Sequence, residues 1–376
     1  MPILPALCLI ALTLSAALAH AAPRVPTDDT EVVERLPPRV APRALERAAA
    51  VTDPQRVAWA RALLHAARRE GDPRPAGQAI ALLQLRAQQP NADAALIVTL
   101  ADAEQHLHDF ASAQTRLESL VQRDPAVAPA WLLLATLHRV QGRYASSDAA
   151  CQRLLALGWA LHGGACGAEN DALRGRAASA RKRLDALMQQ AQPADRAWLL
   201  TTLGELEERQ GNDRAAEAAF GAALQLASDP YTAVAYADLL LRRGRADEVR
   251  AVLHPLPETD AVLLRRAMAD PADEVGRAAA RRLQERFDQA DRQPEARGGH
   301  ERERALAALH LQRNPADALR WAQRNMQRQR EPIDLALLGL AALAAGDPAA
   351  LQQARQAVRD QGLVDQRLAP WLEAKR

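Results

Sequence analysis

Cys151, His162 and Cys166 are the residues whose types and spacing best support chemistry. His162 and Cys166 are four apart, so on a helix both would face one way and could share a metal ion. Once Cys8 is assigned to an apparent leader, two cysteines remain, an even number that pairs readily in an oxidising compartment. Three readings stay open: a disulfide staple, two reduced core cysteines, and a metal- or redox-handling site using Cys151, Cys166 and His162. The staple is the favoured expectation. Elsewhere the sequence offers little. His106 and His108 are two apart and do not share a helix face. There is no His-Glu-x-x-His, no paired Cys-x-x-Cys, no Gly-rich phosphate loop and no Gly-x-Ser-x-Gly elbow. No catalytic residue, cofactor or further metal site is therefore expected. Glu205, Glu207 and Glu208 read as the solvated face of one exposed helix.

Composition says what must hold such residues in place. The chain has 376 residues, 48% hydrophobic but only 3% aromatic, so its core must be built from Ala and Leu. That favours closely packed helices over a sandwich or barrel. Net charge is +2, and lysine occurs only at Lys182 and Lys375, which gives no reason to expect nucleic acid. Ile3 to Leu18 is an uncharged apolar run followed by Ala19-His20-Ala21, and it reads as a signal peptide over 1–21 with cleavage after Ala21. No later stretch is apolar enough to span a membrane. The expectation is a periplasmic or secreted protein of unknown oligomeric state.

Residues 22–42 carry Pro23, Pro26, Pro37, Pro38 and Pro42 and read as a linker. From Arg43 onward everything reads as helix. The most regular stretch is Ala197 to Pro230. Leu200, Leu203 and Gly204 mark one helix, Gln210-Gly211-Asn212-Asp213 a turn, and Ala216, Phe220 and Ala223 a second helix. Trp131, Leu134, Ala135 and His138 begin another such unit. Prolines 90, 125, 193 and 230, read as terminators, are separated by 35, 68 and 37 residues. This pattern resembles the tetratricopeptide repeat (TPR), with its period of about 34 residues. Leu200 and Glu207 stand where that family has aromatics. The resemblance is specific over 91–256 and generic over 43–90 and 257–376. It implies an all-α, right-handed superhelical solenoid of about eight antiparallel helix pairs, with 363–372 as terminal cap. The first helix of the Leu161–Pro193 unit, with Gly163, Gly164 and Gly167, is the weakest.

The resemblance also implies a function: a non-catalytic scaffold that binds a protein or peptide in a groove lined by the first helix of each pair. It would place Cys151 and Cys166 on consecutive touching helices. One groove row then reads Asp102, Thr136, Glu169, Glu205 and Asp238. The next turn carries His106, Val140, Leu173, Arg209 and Arg242, and a third row Leu132, Trp198, Tyr231 and Val234. The acidic row fits a basic partner segment. The favoured explanation is i, i+4 pairs, Asp102–His106, Glu205–Arg209 and Asp238–Arg242, that support their own helices. The Lys and Asn clamp by which chaperone-binding members of the family hold a terminal carboxylate is missing here.

Overall fold

A computed structural model describes residues 51–292 and 300–374. The expected leader, linker and first short helix lie outside these up to residue 50, as does most of the loop expected at 290–300. Eighteen helices form nine consecutive antiparallel pairs, one pair more than the pattern implied. The pairs are α1 (Asp53–Glu70) with α2 (Arg74–Ala87), α3 (Ala94–His106) with α4 (Phe110–Arg123), and α5 (Ala128–Val140) with α6 (Tyr144–Ala156). Then come α7 (Ala160–Leu173) with α8 (Ala177–Met188), α9 (Pro193–Arg209) with α10 (Asp213–Leu226), and α11 (Pro230–Arg242) with α12 (Ala246–Leu253). The last are α13 (Asp260–Ala269) with α14 (Glu274–Asp291), α15 (Glu301–His310) with α16 (Pro315–Asn325), and α17 (Pro332–Ala345) with α18 (Pro348–Gln361). A 3-10 turn, Gln366–Leu368, leads into a short α19, Ala369–Leu372. No strand occurs among the described residues. Each helix packs on its neighbours in sequence, α14 and α15 meeting through side chains such as Phe287 and Arg304, and each odd-numbered helix also touches the next odd-numbered one. This is a TPR-like all-α solenoid with the odd helices as its inner layer.

Local chemistry sets the helix starts. Asp93, Asp109, Asp229, Thr259, Asp273, Asn314 and Asp347 each accept a backbone N–H of the helix they precede. Pro193 and Pro230, read from sequence as terminators, are instead the first residues of α9 and α11. A proline gives up no hydrogen bond there and its fixed φ suits the first turn. The same residue ends one unit and opens the next, so the period survives the reassignment.

Small residues set the spacing. Gly204 lies under Phe220, and a Cβ on it would fall 2.6 Å from the ring. The glycines of α7 do the same: a Cβ at Gly163 would meet the Leu155 side chain at 2.8 Å and the Cys151 carbonyl oxygen at 3.0 Å. The helix expected to be weakest is thus a full 14 residues long. Its glycines cost helix propensity but let α7 lie directly against α6, and tertiary contact wins.

The coil closes on itself, which the sequence reading did not anticipate. At the turn of the first pair, Gly71 packs on Thr259 and its carbonyl accepts from Arg286 Nη2 at 3.1 Å, both in the seventh pair. The Val140 carbonyl of the third pair accepts from the Arg330 amide, at 2.7 Å, just before the ninth. The Leu173 carbonyl of the fourth pair accepts from the Val364 amide at 2.9 Å. Tyr144 and Leu173 share an apolar core with α15 to α19. One superhelical turn therefore takes six pairs, and the last three lie against the turns of the first three. Residues 363–372, expected only to cap the last pair, also run along the turns of the fourth and fifth. Trp371 anchors this tail; it is fully buried against Gly339 of α17.

Candidate functional site

The expected groove residues all lie on the odd-numbered helices α3 to α11, which touch in succession, but few of the charged ones are free. Asp102 pairs with Arg68 of α1 at 2.6 Å. Glu169 pairs with Arg139 of α5 at 3.0 Å. Asp238 takes both oxygens to Arg265 of α13, at 2.9 and 2.8 Å. Glu205 accepts the Tyr231 hydroxyl of α11 and has Arg209 at 3.9 Å. The Thr136 hydroxyl donates to the Leu132 carbonyl of its own helix, at 3.2 Å. The acidic row is thus a line of stitches between neighbouring inner helices. Of the three expected i, i+4 pairs only Glu205–Arg209 brings carboxylate and cation together, and at long range; Arg242 reaches the Asp238 backbone carbonyl at 3.4 Å and gives its charge to Glu208.

Burial and charge act together here. Burial pushes the Glu205 carboxyl above its ordinary pKa, against the pull of Arg209 and the Tyr231 hydrogen bond. The Glu205 charge beside it raises the Tyr231 phenol. Burial likewise lowers His106, helped by Arg68. Tyr231 is nonetheless 62% exposed and Trp198 37% exposed. These two aromatic faces lie on successive odd-numbered helices; Trp59 of α1 and Leu343 of α17 are exposed on the same layer but far from them in the stack. Trp198 continues a chain of rings: its centroid lies 5.8 Å from that of His162, which lies 5.1 Å from Trp159. Leu132 and Val234 are half-buried beside this layer; Leu173 joins the seam core, while the Val140 side chain packs against the core of the second and third pairs.

Glu207 and Glu208, expected to be solvated, are both 4% exposed. At about 100° per residue, three carboxylates within four positions cannot share one face. Glu205 meets Tyr231, Glu207 meets Arg181 of α8 and Asn212, and Glu208 meets two arginines. Those two are Arg242 of α11, Nη1 to Oε1 at 2.7 Å, and Arg367 of the tail, Nη1 to Oε2 at 2.8 Å. Arg367 is itself gripped by Asp365. Nothing in the local sequence marks Glu208, because its tail partner is 159 residues away.

Cys151 and Cys166 form a disulfide between α6 and α7, with Cα atoms 5.7 Å apart. Both are buried. His162 lies between Trp159 and Trp198, tilted against both rings. Among the described residues no group of three His, Cys, Asp or Glu is placed to hold a metal ion, and no helix is long and apolar enough to cross a membrane.

No protein-family model matches the chain, and no curated protein does. Among solved structures, the human IFIT1 dimer with PPP-AAAA is similar at 15% identity and TM-score 0.47, covering 76% of this chain and 69% of that one. The TPR domain of P58(IPK) is similar at 14% identity and TM-score 0.24, covering 85% of this chain and 96% of that one. Both likenesses are loose, and the architecture rests on the chain's own stacked helix pairs.

Proposed function

We propose that this protein is a non-catalytic scaffold that holds a protein or peptide segment bearing basic side chains against the inner face of its coil. The observation that carries this reading is the pair of aromatic faces, Trp198 and Tyr231, left exposed on consecutive inner helices of a chain with very few aromatics. Exposed aromatic surface set in a polar rim is typical of a contact surface. Glu205, at the hydroxyl end of Tyr231, adds a partly exposed carboxylate near the ring on which a lysine or arginine stem can lie. We further propose that the protein is exported, with the apolar run at 3–18 as leader and the buried disulfide as a bond suited to an oxidising compartment, and that its work lies in assembly within the cell envelope.

The test is binding of the mature chain to a panel of fluorescent basic, neutral and acidic peptides, measured by anisotropy. Trp198→Ala and Tyr231→Ala should each weaken the basic peptides by about tenfold, as loss of a central aromatic contact does. Helicity should not change. Equal binding of all three peptide classes, or insensitivity to both substitutions, would refute the groove reading. Thiol titration of the unreduced exported protein addresses the compartment, with no free thiol expected.

A further inference from the structure

The carboxylate of Glu208 is shared between the two structures that meet at the seam. On one side Arg242, 40% exposed on the groove face, reaches Oε1; on the other Arg367 of the tail reaches Oε2. The two contacts differ in kind. Arg367 Nη1 makes a directed hydrogen bond at 2.8 Å. Arg242 Nη1 is as close, but off the hydrogen-bonding direction, so buried Oε1 has an ionic neighbour and no donor. A buried carboxylate oxygen without a donor is costly and accepts a better-aligned N–H readily. Beside it, Arg209 is 5% exposed with Nε and Nη2 lacking acceptors.

Besides the core that Leu363, Leu368 and Trp371 share with Tyr144 and Leu173, the tail has few polar ties to this place. Beyond Gly362, which ends α18 in the left-handed conformation with open space around it, the segment is fixed to the fourth and fifth pairs by two polar contacts. They are the Val364 amide on the Leu173 carbonyl and Arg367 on Glu208. Gly211 lets it approach, since a Cβ there would fall 2.2 Å from Gln366 Oε1.

We infer that Glu208 is a switch carboxylate: a guanidinium or ammonium group of a segment in the groove enters beside Arg242, takes the Glu208 carboxylate from Arg367, and so releases the tail from the seam. This rests on the reading of the groove as a site for basic segments. No bond is made or broken covalently; one charge-assisted hydrogen bond replaces another. Groove occupancy and seam opening are then coupled, and by linkage a weakened latch must tighten binding of the cation.

Amide hydrogen exchange across 363–368, with anisotropy of a labelled hexa-arginine peptide on the same full-length samples, tests this. Arg367→Ala should speed exchange at Val364 and raise hexa-arginine affinity, each by about tenfold or more. In the unsubstituted protein, bound hexa-arginine should speed the same exchange, and hexa-glutamate should not. Glu208→Gln should exchange fast already and show no further response to the peptide. If hexa-arginine binds and exchange at 363–368 is unmoved, the coupling is wrong while the groove reading stands. If it fails to bind at low salt, the basic-segment reading itself fails and the inference with it. If Arg367→Ala leaves exchange unchanged in a folded protein, Arg367 is no latch.

Discussion

His108 shows how much one residue can carry at the seam. It takes φ +60 at the turn between α3 and α4, where the turns of the next four pairs place Gly142, Gly175, Gly211 and Gly244. Burial, then the charge of Arg302 from the eighth pair, push its imidazole down from 6.5 to about 4. The folded state thus disfavours the proton that the unfolded chain binds below about pH 6.5. Stability is complete above that value and drains away as pH falls towards 4. His106, His138 and His310, also lowered by burial, act in the same direction. His300 acts oppositely: its hydrogen bond with Asp260 raises its pKa, so its contribution is present at low pH and lost as pH rises through the folded value. Urea midpoints measured from pH 7.5 to 4 should fall steadily, and His108→Gly should make that fall shallower. An unchanged slope would show that His108 stays accessible to protons in the fold. In the sequence the position is only one of two histidines that cannot share a helix face. Its shift comes first from burial and then from Arg302, a neighbour that only the closed coil supplies.

At the scale of the element, packing rather than propensity decides. Gly204→Ala places a methyl group against Phe220 and should cost about 1–3 kcal/mol by overpacking, although alanine is the better helix former. Thermal melts of the two proteins measure it, and a stabilised variant would contradict the contact. The Cys151–Cys166 bond spans a separation of 15 residues, for which loop closure gives about 3 kcal/mol. Replacing both cysteines by alanine should lower stability by that order, seen in denaturant titration, with helicity retained. The repeat units were legible because Leu and Ala at i, i+3 and i+4 and the turn glycines recur in step with the helix period. Two local judgements failed for physical reasons. The Gly-rich α7 looked weak because propensity is counted per residue, whereas Gly163 is justified by the backbone of α6 beside it. Glu205, Glu207 and Glu208 looked like one solvated face because their partners, Tyr231, Arg181, Arg242 and Arg367, lie in other helices and in the tail.

The whole molecule was the least legible level. Each inter-pair step is a small rotation set by many side chains, and no single residue encodes that six steps bring the seventh pair back to the first. The expected groove rows lie on the odd-numbered helices α3 to α11. Their electrostatics were not readable, because the arginines that answer Asp102, Glu169 and Asp238 come from adjacent pairs, namely Arg68, Arg139 and Arg265. What those stitches leave open is the aromatic surface of Trp198 and Tyr231, where the proposed scaffold meets its partner. Closure of the coil is the claim on which the tail, the seam and the switch all depend. Native-state hydrogen exchange of the Arg330 and Val364 amides in the unliganded protein tests it most directly. Both donate only across the seam, to the Val140 and Leu173 carbonyls. A closed coil predicts protection of both well above that of an exposed loop, lost together in Arg367→Ala for Val364 and its neighbours. Exchange of both at the rate of unstructured chain would mean that the solenoid is open in solution, and would contradict the account.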